Sequence, residues 1–140
     1  MRLFISIPLF VYLLIAANVV MIAGGPHNPM TNIILAEFSL PSGATTILTV
    51  SDLLIIAGVI FLYIETFKAT RTSVLSIVDH SLSLLVFVAF LIEYLVVEAV
   101  GNATFLILSI TSLMDVIVGF TVTISTVSYT HLTLPTIYSV

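Results

Sequence analysis

The sequence predicts an all-α fold, a polytopic membrane protein whose helices form an antiparallel four-helix transmembrane bundle, and three observations predict it. Only 7% of the 140 residues are charged and 60% are apolar, against roughly a quarter charged and under about half apolar in a soluble domain. Mean hydropathy is +1.32, more apolar surface than a chain of this size can hide from water. The apolar residues also gather into four long stretches, each near the roughly 20 residues that a helix needs to cross about 30 Å of hydrocarbon.

Those stretches cover about 3–23, 47–67, 74–100 and 104–126, within one membrane domain spanning 1–126. They run continuously apolar, whereas barrel strands alternate over about ten residues. Helices are therefore the way each stretch satisfies its own backbone in lipid. The first stretch has Arg2 at its head and small residues (Ala16, Ala17, Ala23) towards its end, as a signal peptide would. Its length exceeds the roughly 7–15 residues of a signal h-region and its n-region is minimal, so it reads as an uncleaved helix. Gly24-Gly25-Pro26 stops it, because glycine and proline break helical continuation. Thr31 to Leu40 is mostly apolar but too short to span, and is expected to lie along the membrane interface. Pro41-Ser42-Gly43 signals a turn before the second helix. The short connections at Lys68–Ser73 and Gly101-Asn102 pair helices two, three and four as successive antiparallel hairpins.

Orientation follows from the three cationic residues. Arg2 precedes the first helix, Lys68 and Arg71 lie between the second and third, and the connections at 24–46 and 99–103 carry no Lys or Arg. Cations favour the cytoplasmic side, which puts both termini in the cytoplasm. A net charge of −4 with no basic cluster excludes a nucleic-acid partner, which needs a positive patch. Without cysteine there are no disulfides, thiolate metal sites, iron–sulfur clusters or cysteine nucleophiles.

From Val127 the chain reads VSYTHLTLPTIYSV, an abrupt shift towards Thr, Tyr and Pro with no Lys or Arg after the fourth helix. Residues 127–140 resemble a peptide recurring at the ends of unrelated environmental reading frames, where sequencing adapter has been read through and translated. The resemblance implies a non-native tail beyond 126, without the true C-terminal sequence. Sequencing the source locus through the 3′ end of the gene decides between that and a genuine polar tail.

Ionisable groups at membrane depth are costly and face a bundle interior or a water-filled path, so they are the candidates for function. On helix three, Ser76, Asp79, His80, Ser83, Glu93 and Tyr94 fall within an arc of about 140°. On helix four, Ser109, Ser112, Asp115, Gly119, Thr123 and Thr126 fall within about 120°. Both stripes must turn from lipid, and the simplest packing sets them face to face, the small residues allowing close approach. Asp115 lies near mid-depth with no cation on any helix to neutralise it, so its carboxyl is expected to be protonated or hydrogen-bonded; His80 is one candidate partner. Proton or cation handling at Asp115 competes evenly with a structural hydrogen bond. Glu93, Asp79 and His80 complete the candidate polar or proton site, with interfacial placement as their competing reading.

Asp52, after Thr49 and Ser51, reads as a helix cap, and Glu65 three residues before Lys68 as a local ion pair. No phosphate-binding glycine loop, HExxH or G-x-S-x-G elbow is present. Asp79 and Glu93 are about 21 Å apart along a helix and cannot share one metal ion. No cofactor, metal or catalytic residue is called for.

Phe61-Leu62-Tyr63-Ile64-Glu65 in helix two and Asp115-Val116-Ile117 in helix four, with the short hairpin connections, resemble the small four-helix bacterial membrane proteins named for induction by phosphate starvation. The resemblance covers about 47–126 and implies a bacterial inner membrane and that topology, without implying a biochemical activity. The sequence-level expectation is thus a small, non-catalytic integral membrane protein, accessory or stress-related, whose partners are the bilayer and either a larger membrane protein or further copies of itself. The alternative is a proton- or cation-coupled carrier or channel working as a homo-oligomer through its intramembrane acids. An intramembrane enzyme or haem carrier has no motif in its favour.

Overall fold

A computed structural model describes residues 7–24, 30–70 and 74–137. Arg2, His27 and Arg71 lie outside the described residues, as do the side chains of Ser76 and Thr126. Among the described residues are four α-helices: α1 (Leu9–Ala23), α2 (Val50–Ala69), α3 (Val74–Val96) and α4 (Ala103–Ile137). The last three contain stretches long and apolar enough to cross a membrane: Val50–Ala69, Ile77–Val96 and Ala103–Ser125.

The all-α expectation needs one correction. The chain between α1 and α2 folds as an antiparallel hairpin of β1 (Ile34–Ser39) and β2 (Thr45–Thr49), where the sequence suggested an apolar segment lying along the interface. The turn chemistry explains it. The carbonyl of Leu40 accepts from the Gly43 amide at 2.9 Å, and the Leu40 amide donates to the Ala44 carbonyl at 2.8 Å. Pro41 takes the second turn position, where its fixed φ fits a type I turn, and Gly43 follows at φ 84°, the left-handed residue that closes a three-residue hairpin loop. Phe38 pairs with Thr46 and Glu37 with Ile47, so Ile47 belongs to a strand and not to the second helix.

Helix α2 starts at Val50 because Thr49 and Asp52 form a capping box. The Asp52 amide donates to Thr49 Oγ1 at 3.3 Å, and the Thr49 amide to Asp52 Oδ2 at 2.9 Å, satisfying two amides that would otherwise be orphaned at the helix start. Asp52 is the cap that the sequence indicated. Thr49→Ala is expected to lower stability by about 1 kcal/mol, read as an earlier midpoint in a denaturant titration of the purified protein; an unchanged midpoint would show that the box contributes nothing.

Helix α1 begins at Leu9, after Pro8; the part of the expected span at 3–6 lies outside the described residues. Proline has no amide to give a helix and its ring disfavours helical geometry in the residue before it. The 15 described residues rise about 22 Å, so α1 is shorter than the span that the sequence suggested. Its buried stripe, Phe10, Leu13, Ala17 and Met21, has the three-and-four spacing of one helix face. That stripe packs with Leu54, Phe90, Val100, Phe105 and Leu108, and the Phe90 and Phe105 rings stand 5.3 Å apart. At Gly58 a Cβ would lie 3.2 Å from Leu108 and 3.3 Å from Leu13, which marks where α1, α2 and α4 meet most closely.

Helix α4 does not end at Thr126 but continues to Ile137. Helix α3 ends at Val96, followed by a 3₁₀ turn over Glu98–Val100. Asn102 then starts α4, its Oδ1 accepting the Phe105 amide at 3.0 Å. Helix α4 packs against both α2 and α3, while α1 touches α2 and α3.

Besides the apolar cluster, the interior holds polar groups while many large apolar side chains face outward. Glu65, His80, Ser83, Ser109, Ser112 and Asp115 are buried, whereas Val59, Tyr63, Phe67, Leu85, Leu95, Val96 and Ile124 each expose more than half of their surface.

Candidate functional site between helices three and four

The two polar stripes meet. On α3, His80 and Ser83 are buried one turn apart; on α4, Ser109, Ser112, Asp115 and Gly119 follow at three- and four-residue spacing, and Ser109, Ser112 and Asp115 are buried. The helices run antiparallel, so the pairs match in reverse order. Ser83 hydrogen-bonds the Asp115 carboxyl, and one turn away the His80 ring lies against the backbone of Gly119. A Cβ placed at Gly119 would fall 2.7 Å from Cε1 and 3.1 Å from Cγ of that ring, and nearer still to Nδ1. His80 also packs beside Phe120, the rings 5.9 Å apart. The partner of Asp115 is therefore Ser83, while His80, the candidate from sequence, sits one turn along.

The hydroxyls differ in what they bond. Ser109 Oγ donates back to the Phe105 carbonyl at 2.8 Å, a local bond of the kind that hydroxyl residues make inside helices. Ser112 Oγ and Asp115 Oδ2 are both sealed from solvent and have no hydrogen-bond partner among the described residues.

The four candidate residues do not form a single site. Asp79 turns to α2, where its Oδ2 lies 3.6 Å from Lys68 Nζ. Lys68 also pairs with Glu65 at 3.0 Å and reaches the Ile7 carbonyl at 3.4 Å. The local Glu65–Lys68 pair is thus present, but Glu65 does more: its Oε1 accepts the Leu9 amide at 2.6 Å and so caps the exposed amides at the start of α1. Glu93 accepts from Asn18 Nδ2 of α1 at 2.6 Å, far along α3 from Asp115. Asn18, whose Nδ2 also donates to the Leu14 carbonyl at 3.0 Å, was not singled out in the sequence. Its one legible signal is an amide standing alone in an apolar helix. Near the opposite ends of these helices, Ser51 of α2 and Thr104 of α4 share a short hydrogen bond through their hydroxyls.

These contacts define two kinds of polar site. Glu65, Lys68, Asp79 and the start of α1 tie three helices together at one end, and Asn18 with Glu93 ties α1 to α3 towards the other. Between them, Asp115, Ser112 and Ser83 form a small cluster with unmet hydrogen-bonding capacity. Among the described residues no three His, Cys, Asp or Glu side chains converge where they could hold a metal ion. Compared with protein families, curated proteins and solved structures, the chain matches none of them.

Proposed function

We propose that the chain is a small integral protein of a bacterial inner membrane, without catalytic activity, acting as an accessory or stress-related membrane component. Its four helices form an antiparallel transmembrane bundle with both ends in the cytoplasm. The observation that carries the reading is the apolar outer surface: α2, α3 and α4 present Leu, Ile, Val and Phe outward, while Glu65, His80, Ser83, Ser109, Ser112 and Asp115 are buried. Monomeric soluble proteins rarely expose contiguous apolar patches beyond a few hundred Å², whereas lipid is the solvent in which such a surface is favourable. The accessory role is supported by how the acids are used. Glu65 and Glu93 each hold another helix in place, which is the work of a scaffold. The bacterial setting rests on the resemblance of Phe61–Glu65 and Asp115–Ile117 described above.

The test is fractionation followed by capture. Expressed in a bacterial host, the protein should remain in the membrane pellet through alkaline carbonate washing. Extracted in mild detergent at native expression, it should carry a larger membrane partner with it. Release into the carbonate supernatant would overturn the membrane placement, and recovery as a lone monomer would overturn the accessory role. The second reading, a proton- or cation-coupled carrier or channel, is favoured by the unmet polar groups around Asp115.

A further inference from the structure

Asp115 and Ser112 are 5% and 1% exposed, yet Asp115 Oδ2 and Ser112 Oγ have no hydrogen-bond partner among the described residues. Three residues apart, they share one face of α4, and that face is turned to α3, where Ser83 holds the same carboxyl. A buried polar atom without a partner is uncommon and expensive. Two of them on one helix face, with Ser83 bonded to the same carboxyl, call for a ligand that both oxygens can bind.

Charge points the same way. Glu65, Asp79 and Lys68 all act electrostatically on Asp115, and Lys68 is already committed to Glu65 and Asp79. Three carboxylates against one ammonium leave that interior short of positive charge. His80 packs on Gly119 one turn from Asp115.

We propose that Asp115, Ser112 and Ser83 bind a small monovalent cation, with Na⁺ as the natural occupant. Asp115 supplies the charge and one oxygen, and the two serine hydroxyls supply neutral oxygen ligands. Hard cations take such donors, but Ca²⁺ uses six to eight oxygens and usually several carboxylates, while Mg²⁺ keeps its waters; a single carboxylate with two hydroxyls suits one positive charge. A proton would remove the charge of Asp115, whereas a cation keeps the carboxylate ionised and takes a lone pair from both oxygens. The site rests on the membrane placement proposed above and is independent of the accessory role.

The experiment is thermal unfolding of the purified full chain in detergent, followed by helical circular dichroism at constant pH and ionic strength. NaCl is exchanged for N-methyl-D-glucamine chloride or KCl. The wild type should show a saturable rise in Tm with sodium, of about 5 °C at ten times Kd. Asp115→Asn, which keeps the shape without the charge, should show none. Ser112→Ala should bind with a Kd roughly tenfold weaker, and it keeps the test decisive if Asp115→Asn does not fold. A wild-type Tm indifferent to sodium overturns the site, and so does an equal rise with all three salts, which is general salt action. A Tm that responds to pH through Asp115 but not to sodium makes the occupant a proton and also overturns it. Carbonate fractionation of the same preparations reads the membrane placement separately: a protein that stays in the membrane and ignores sodium loses only the cation site.

Discussion

Glu65→Ala is expected to destabilise the protein by about 3–5 kcal/mol, the range for breaking a buried ion pair by removing one partner. Glu65 is 5% exposed and is bonded twice. One bond is to Lys68 Nζ at 3.0 Å; the other accepts the Leu9 amide at 2.6 Å. Deleting the carboxylate leaves Lys68 with Asp79 at the longer distance of 3.6 Å and leaves the first amide of α1 without an acceptor. The loss should fall mainly on the docking of α1, because the residue that α1 leans on belongs to α2, 56 positions away. Glu65→Gln separates the two contributions. The amide oxygen can still accept from Leu9 while the charge is gone, so its loss should be well below that of Glu65→Ala. Both are read from denaturant titrations of the purified variants in mixed micelles, with proteolysis near residue 9 reporting on α1. A Glu65→Ala midpoint equal to wild type would mean that neither bond stabilises the fold.

Much of this arrangement can be read from sequence, and the rest fails for identifiable reasons. The helices are legible because continuous apolar stretches near twenty residues admit few other structures. The stripes on α3 and α4 are legible because the helical turn is fixed, so Asp79, His80, Ser83 and Asp115 could be placed on inward faces before any contact was known. The hairpin was hidden in apolar residues that a hydropathy reading merges with α2. Its signals were the β-branched run Thr45-Thr46-Ile47 and the Pro41-Ser42-Gly43 turn, which together fit a strand pair better than a helix start. The start of α1 was likewise written in Pro8. What no pattern supplied was the pairing between distant elements. Asn18 meets Glu93 across 75 residues, and Ser51 meets Thr104 across 53. These partners depend on how whole helices dock, which hydropathy does not encode.

Those pairings change how the acids should be understood. From sequence, Asp79, Glu93 and Asp115 are three carboxylates in apolar helices. In the fold, Glu93 is held by Asn18, and Asp79 by Lys68 through one oxygen, and both brace helices. Asp79 Oδ1 and Asp115 Oδ2 both lack a hydrogen-bond partner among the described residues, but only Asp115 shares its helix face with a second such atom, Ser112 Oγ. Bracing groups are expected to respond to mutation through stability alone. Asp115 should respond through ligand dependence as well, and that difference separates scaffold from site.

Gly119→Leu is expected to cost about 3 kcal/mol, because α3 and α4 touch there through the His80 ring with no room for a side chain. A Cβ at position 119 would already sit 2.7 Å from Cε1 and 3.1 Å from Cγ of His80, well inside the 3.5–4.0 Å at which carbon atoms attract. The ring is 6% exposed and has Phe120 beside it, so it cannot swing clear without displacing a neighbour. Overpacking of this kind costs about 1–3 kcal/mol, and the leucine branches add to it. Gly58 provides the comparison. A Cβ there meets only the Cδ2 tips of Leu108 and Leu13, at 3.2 and 3.3 Å. Such tips can yield, and replacing glycine by alanine within a helix gains about 1 kcal/mol. Gly58→Ala should therefore lie within about 1 kcal/mol of wild type. The cause of the Gly119 loss is tested by adding His80→Ala. Removing the ring opens the space that leucine needs, so the double variant should recover much of the loss, with a coupling of at least about 1 kcal/mol. A double variant no more stable than the sum of its parts would show that His80 is not what Gly119 accommodates. Recovery would establish that the close approach of α3 to α4, which holds Ser83 against Asp115, is set by a glycine and a histidine together.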